Sequence, residues 1–63
     1  MDFPAAFQIL KNGGKIRRAC WTTPAFLQYV EVNHWILERI GSGKIYWVPV
    51  QTDLLAEDWE SVP

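Results

Sequence analysis

The chain has only one cysteine and one histidine, which removes two common ways of stabilising a small domain. An intramolecular disulfide needs a second thiol, and a zinc site of the usual kind needs several cysteine or histidine ligands. A domain of 63 residues buries only about 60% of its unfolded surface, so it is marginal alone. Association of copies is the remaining supplement, and a composition that is 49% hydrophobic with four tryptophans favours it. We therefore expect one domain over residues 1–63 that forms a homo-oligomer.

An excess of positive charge and a long apolar run are missing as well. The formal net charge is −1, so no overall attraction draws the chain to duplex nucleic acid. No apolar run approaches the 18 or so residues that a transmembrane helix needs, and the N-terminus lacks the basic start and apolar stretch of a signal peptide. Together with a single unpaired thiol, these absences predict a soluble cytosolic protein with no membrane partner.

The spacing of hydrophobic residues predicts one helix followed by short strands. Phe3, Phe7 and Leu10 recur at helical spacing, and Asn12-Gly13-Gly14 ends the pattern, so we expect a helix over about 3–12. Further along, alternating and β-branched or aromatic residues predict strands at 15–21, 26–32, 35–40, 44–48 and 58–62, the last at a sheet edge. The predicted class is α+β, with an N-terminal helix followed by an antiparallel meander of four to five short strands.

Catalytic groups are poorly represented. Cys20 shares a face of the first predicted strand with Arg18, but only His34 is available as its base. We expect Cys20 to be a buried structural thiol and His34 to be a solvated residue of a hairpin turn. Asp53, Glu57 and Asp58 could act as paired carboxylates in acid–base catalysis. The simpler alternative is that the acidic side chains cap and solvate a short helical turn, which Thr52 or Asp53 could cap, and we favour this alternative for Glu57 and Glu60.

Aromatic rings beside polar groups favour binding. Trp21 ends the first predicted strand next to a Thr-Thr-Pro loop, and Phe26, Tyr46 and Trp47 supply further rings. Nucleobases stack on such rings for about 1–3 kcal/mol each. The alternative is that the rings form the core of a small domain. We expect core roles for Trp35 and Trp59, and for Trp21 and Trp47 the pattern leaves core and binding site equally open.

Polar side chains of two segments complement these rings. Arg17 and Arg18 carry forked donors that match phosphate oxygens. Gln51, Thr52 and Asp53 offer donors and acceptors of the kind that read a base edge or ribose hydroxyls. The sequence therefore indicates a site for a planar, anionic small molecule.

Both ends of the chain resemble a known family. The front motif is Phe3…Leu10-Lys11…Gly14-Lys15-Ile16-Arg17-Arg18-Ala19-x-Trp21. The back motif is Trp47-x-Pro49-x-Gln51-x-Asp53-Leu54-Leu55-Ala56-Glu57-Asp58-Trp59. Together with the Gly41-Ser42-Gly43 hairpin, these motifs resemble phage Thoeris anti-defence proteins of the second type.

The resemblance implies a non-enzymatic sponge, meaning a protein that sequesters a ligand without altering it. Such proteins are homotetramers built as dimers of dimers, and they hold the cyclic ADP-ribose isomer that a defence enzyme with a TIR domain makes in the host cell cytoplasm. The Thoeris effector is then never activated. No cofactor and no metal is implied. Carried over position by position, the implied ligand contacts are Trp21, Trp47, Gln51, Asp53, Arg18 and Phe26.

This chain departs from the family pattern in three places. Cys20 stands where relatives tend to have Gly, and Thr22-Thr23 replaces an Asn or Asp followed by Gly. The chain is also shorter through residues 25–40, a region that helps to wall the pocket in longer relatives. Three alternatives therefore stay open: a sponge for cyclic oligonucleotide signals of the CBASS type, a protein-interaction module that covers a host defence protein, and a hydrolase of the same cyclic signals.

Overall fold

A computed structural model describes residues 1–63 as one helix followed by a five-stranded antiparallel sheet. In chain order the elements are α1 Phe3–Lys11, β1 Lys15–Arg18, β2 Phe26–Val30, β3 Trp35–Ile40, β4 Gly43–Tyr46, α2 Gln51–Leu55 and β5 Trp59–Val62. The strand order is β4-β3-β2-β1-β5. The first four strands form a meander, and the segment containing α2 carries the chain back so that β5 lies at the edge beside β1. The predicted α+β class and order of elements are confirmed.

Helix α1 begins and ends where local chemistry requires. Asp2 is the N-cap, and its side chain accepts a hydrogen bond from the Ala5 N–H at 3.1 Å. At the other end the Gly14 N–H donates to the Ile9 carbonyl at 2.9 Å. Gly13 has a φ of 90°, a conformation that an L side chain rarely adopts, so it lets the chain leave the helix without strain.

The core lies between α1 and one face of the sheet. Ala6 and Leu10 of the helix meet Ile16, Leu27 and Trp59, and each of these residues is no more than 2% exposed. The antiparallel register places Ile16 opposite Leu27, so both side chains point to the same face. Helix α1 packs chiefly on β1, β2 and β5. The opposite face, here called the open face, has no helix over it, and the β3–β4 hairpin lies to the side of α1.

The structure overturns the prediction that Cys20 is a buried thiol inside a strand. Strand β1 ends at Arg18, and Cys20 is an exposed turn residue. The reason is the partner strand, because β5 begins at Trp59, directly opposite Arg18. Beyond that pair the Trp21 N–H donates to the Arg18 carbonyl at 3.1 Å, which turns the chain out of the sheet.

Two further expectations need correction. Trp35 is not core, because it lies on the open face and is 48% exposed, whereas Trp59 is core as expected. Helix α2 begins at Gln51 with Val50 at its N-cap, and no side chain caps it, so neither Thr52 nor Asp53 plays that role. His34 is an exposed residue of the β2–β3 turn, as predicted, with a φ of 58°.

Candidate functional site

Trp59 is the centre of an aromatic cluster that joins both termini to the middle of the chain. Its ring centroid lies 5.4 Å from that of Phe3, 5.8 Å from that of Trp21 and 6.0 Å from that of Trp47. The two indole pairs meet edge to face, at 78° and 90°, the arrangement that the ring quadrupoles favour. Because Trp59 is buried, it fixes the positions of two partly buried indoles at its rim.

A cation beside this cluster ties β1 to the C-terminal segment. The Arg18 Nη1 donates to Asp53 Oδ1 at 3.0 Å, and its Nε donates to Asp58 Oδ1 at 2.7 Å. The Arg18 and Asp53 side chains are only 18% and 13% exposed, so water screens their pair incompletely. The indole N–H of Trp59 donates to the Asp53 carbonyl at 2.9 Å. Asp53 is therefore held through both its backbone and its carboxylate.

The protonation of this network follows from its geometry. The side-chain hydrogen bond from Arg18, with a smaller contribution from its charge, holds the pKa of the Asp58 carboxyl below its usual value. The same two carboxylates raise the pKa of Arg18, whose cation is thus fixed at every accessible pH. These hydrogen bonds are charge-assisted: Nε and Nη2 of Arg18 form a fork on the two oxygens of Asp58, and Nη1 reaches Asp53, a geometry that lysine could not reproduce.

A second arginine shapes the loop over residues 19–25. The Arg17 Nη2 donates to the Trp21 carbonyl at 2.6 Å and to the Thr23 carbonyl at 3.0 Å. Its Nε lies 3.8 Å from Glu60, an exposed carboxylate. The guanidinium thus holds the loop backbone in the shape that places the Trp21 ring against Trp59. Arg17 and Arg18, which the sequence suggested as phosphate donors, are both engaged inside the chain.

A pocket of about 360 Å³ opens where the aromatic cluster and the arginine-held loop meet. Its wall combines indoles, hydroxyls and carboxylates: Cys20, Trp21, Thr22, Thr23, Ala25, Glu38, Trp47, Val48 and Asp53. These residues come from the β1–β2 loop, from β3 and from the segment after β4. Flat apolar faces beside convergent polar groups are typical of small-molecule sites. The wall contains two carboxylates and no cation of its own.

The structure brings together three of the six residues implied as ligand contacts. Trp21, Trp47 and Asp53 line the same pocket, and Arg18 lies behind the wall as the partner of Asp53. Gln51 is exposed at the start of α2 and is not part of the wall. Phe26 lies on the open face, where the Lys15 Nζ is 5.0 Å from its ring centroid.

Other wall residues escaped the sequence-based prediction. Thr22 and Thr23 were noted only as a departure from the family pattern, yet both line the pocket. Glu38 faces the pocket because the register places Glu38 opposite Leu27, on the face of the sheet that α1 covers. The alternation of β3 could have identified that direction, since Glu38 lies two residues from Ile36. No feature of the sequence near Glu38 indicates that β3 lies next to the β1–β2 loop.

Two larger concavities flank the β3–β4 hairpin. One, of about 590 Å³, lies between α1 and the hairpin and is mostly apolar; its wall is Phe3, Phe7, His34, Trp35, Ile36, Tyr46, Trp47, Pro49 and Leu54. The other, of about 520 Å³, lies on the open face around Trp35, Lys44 and Tyr46. Trp47 is shared by the first concavity and the 360 Å³ pocket. We take the smaller pocket as the candidate site because polar groups converge there.

The chain has neither a metal-binding cluster nor a membrane-spanning helix. No group of three or more histidine, cysteine or acidic side chains is arranged to hold a metal ion. None of the helices has the length and apolar character needed to cross a membrane.

Comparison with known proteins agrees with the motifs at both ends of the chain. The model of the Thoeris anti-defense 2-like domain matches residues 1–62. A protein named Thoeris anti-defense 2, from Bacillus phage SP01, is 29% identical over 84 aligned positions that cover 98% of this chain and 94% of the relative. The alignment is longer than this chain, so the relative carries residues that are absent here. The family match spans the aromatic cluster, the Arg18 network and the pocket, and the chain belongs to the Thoeris anti-defense 2-like family.

Proposed function

We propose that the protein is a phage sponge that captures a cyclic ADP-ribose isomer, the immune signal of a Thoeris system, and releases it unchanged. The observation that carries this proposal is that Trp21, from the β1–β2 loop, lines the same pocket as Trp47 and Asp53, from the segment after β4. Indole faces suit adenine, and a carboxylate suits ribose hydroxyls. Capture in the host cytoplasm would lower the free concentration of the signal below the level that the effector needs.

The charge of the pocket supports a site completed by another copy. A cyclic ADP-ribose isomer carries a pyrophosphate, which needs positive donors, but the wall offers only Glu38 and Asp53 as charged groups. Arg17 and Arg18 already bond to acceptors of their own chain. The volume of about 360 Å³ is also at the low end for a ligand of this size. We therefore propose a homo-oligomer, a dimer of dimers, in which a neighbouring subunit faces the pyrophosphate.

The arrangement of the carboxylates supports binding without catalysis. Acid–base chemistry requires two groups whose pKa values are set apart, with one of them free to give up a proton. Asp53 and Asp58 instead accept hydrogen bonds from the same Arg18. No histidine or lysine lies in the wall to serve as a base. We propose that the protein is not an enzyme and uses no cofactor.

The test is a capture-and-release experiment. The protein is incubated with a cyclic ADP-ribose isomer, separated from free ligand by gel filtration, heated, and the released material is analysed by chromatography and mass spectrometry. Intact ligand in a fixed ratio to protein is the expected result. A linear or otherwise cleaved product would show a hydrolase and end the sponge proposal.

Matched variants locate the site. Trp21→Leu removes an indole from the pocket wall, and loss of one stacking partner is expected to weaken binding by about 5–150-fold, or 1–3 kcal/mol. Phe26→Leu removes a ring from the open face, outside the pocket, and is expected to leave the affinity unchanged. Calorimetry on both variants reads out the difference, and equal losses would show that the pocket is not the site.

The same calorimetry separates the alternatives. Heat with cyclic oligonucleotides and none with cyclic ADP-ribose isomers would change the class of ligand. The absence of binding heat with either class of ligand would favour a protein-interaction module. That alternative has some support, since Val48 in the pocket wall and Leu55 at the end of α2 are 79% and 73% exposed.

A further inference from the structure

The two edges of the sheet differ in whether their outward backbone N–H and C=O groups are paired within the chain. At the β5 edge, the Trp59 N–H donates to the Met1 carbonyl at 3.1 Å, and the Trp59 carbonyl accepts from the Met1 ammonium at 2.8 Å. The outward backbone groups at the start of β5 are therefore paired inside the chain. At the opposite edge β4 has β3 on one side and no strand on the other. Only the β4 edge is free along its length.

The register shows which backbone groups of β4 point outward. The Trp47 N–H donates to the Ile36 carbonyl at 2.9 Å, which identifies Ile36 and Trp47 as a hydrogen-bonded pair. Hydrogen-bonded and non-hydrogen-bonded pairs alternate along an antiparallel ladder. The next residue, Tyr46, lies opposite Leu37, so its N–H and C=O point away from β3. The same alternation turns the N–H and C=O of Lys44 outward.

The side chains of β4 do not protect this edge. Native proteins commonly shield a free edge with several charges, a proline or a bulge. All four residues of Gly43–Tyr46 are exposed, and only Lys44 is charged. Ile45 is 59% exposed on one face, and Tyr46 is 60% exposed on the other, where its ring meets Trp35 at 4.4 Å between centroids. Apolar side chains on both faces of an unpaired edge fit an added strand.

We propose that β4 pairs antiparallel with β4 of a second copy about a two-fold axis, which joins two five-stranded sheets into one of ten strands. This inference rests on the homo-oligomer of the proposed function and names the surface that forms its first dimer. The second copy is the occupant because the edge and its complement are the same sequence, and a two-fold axis matches every outward donor with an outward acceptor.

The register of the pair is also fixed. The outward groups of Lys44 bond those of Tyr46 of the partner subunit when the axis passes beside Ile45, giving four hydrogen bonds. In that register Lys44 lies beside an aromatic ring of the partner, a favourable cation–π pairing. An axis at Lys44 would instead set two ammonium groups directly opposite each other, which is destabilising. An axis at Tyr46 would pair Lys44 with Val48 of the partner subunit, beyond the end of the strand.

A disulfide test reads this register directly. The two Ile45 residues would form a non-hydrogen-bonded pair with Cα atoms about 4.5 Å apart, within the span of a disulfide. Ile45→Cys in a Cys20→Ser background is expected to form a covalent dimer almost completely under mild oxidation. Lys44→Cys in the same background is the matched control, because the two Lys44 residues lie diagonally, more than about 7 Å apart, and should link little. Equal linking of both variants, or none of Ile45→Cys, would overturn the proposal.

Two separate proline substitutions, one at each edge of the sheet, test the β4 interface without a cross-link. Lys44→Pro removes an outward N–H, which the isolated chain does not use, and Ser61→Pro removes one at the β5 edge. Circular dichroism confirms that each variant is folded. Sedimentation should give Lys44→Pro half the native mass or less and leave Ser61→Pro unchanged; a Lys44→Pro variant of native mass would refute the interface.

The proposed β4 interface and the proposed sponge function can be refuted independently of each other. If the unmodified protein binds a cyclic ADP-ribose isomer but Ile45→Cys does not link, the β4 interface is wrong and the sponge stands. If Ile45→Cys links but calorimetry shows no binding, the interface stands and the sponge is wrong.

Discussion

Replacing Trp59 by phenylalanine tests the aromatic cluster that supports the pocket. The indole is 2% exposed, and its N–H donates to the Asp53 carbonyl at 2.9 Å. The variant keeps a ring in the core but loses this hydrogen bond, about 1 kcal/mol, and leaves a partial cavity beside Trp21 and Trp47, about 1–2 kcal/mol. The total of about 2–3 kcal/mol is a large share of the roughly 3–5 kcal/mol that a core this small supplies. The melting temperature should fall by roughly 8–24 °C.

The assay is thermal and urea unfolding by circular dichroism, at one protein concentration because association alters the apparent stability. Trp35→Phe makes the same chemical change at a ring that is 48% exposed, and its effect should stay within about 0.5 kcal/mol. The reasoning is refuted if Trp59→Phe melts within about 4 °C of the unmodified protein, or if Trp35→Phe is equally damaging.

Three further variants test single interactions, all by urea unfolding. Asp2→Ala removes the cap of α1 and should cost about 1 kcal/mol, whereas Asp2→Asn should retain most of that stability; equal losses would contradict the capping role. Gly13→Ala forces a side chain into a φ of 90° and should cost about 1 kcal/mol, while Gly43→Ala should change little. The folded-state pKa of Asp58 is lowered by Arg18, so Asp58 stabilises the fold above its unfolded pKa of about 3.9 and loses this effect as pH falls through the lower folded value. Asp58→Asn should therefore flatten the loss of stability below about pH 4, and an unaltered slope would count against the ion pair.

The elements that the sequence predicted well depend on neighbours along the chain. Helix α1 has its cap at Asp2 and its glycine stop within one short segment, so spacing alone located it. The same holds for β3, whose alternation and flanking turns lie within a few residues of one another. Trp59 was also expected to belong to the core, and it is 2% exposed.

The errors arose where the answer depends on sheet order. Alternation shows that Trp35 and Ile36 face opposite ways, but not which face the helix covers, so Trp35 was wrongly assigned to the core. Cys20 was placed in a strand because nothing local indicates that β5 stops pairing with β1 at Arg18.

The types of residue in the candidate site could be predicted from the sequence, but the contacts between them could not. Trp21, Trp47 and Asp53 were singled out from the motifs, and the fold does bring them to one pocket. Arg18 was expected to meet phosphate, yet the return of β5 beside β1 gives it Asp58, and α2 gives it Asp53. A contact between residues 35 or 40 positions apart cannot be read from spacing in a single sequence.

Native mass spectrometry of the protein mixed with a cyclic ADP-ribose isomer tests the central claim most directly, because one spectrum reports the number of subunits and the mass bound to them. The account predicts a multi-subunit assembly that carries a whole number of intact ligands, with the ligand mass lost in the Trp21→Leu variant and kept in Phe26→Leu. A single chain that binds none of the ligand, or an assembly that carries only cleaved fragments, would contradict it.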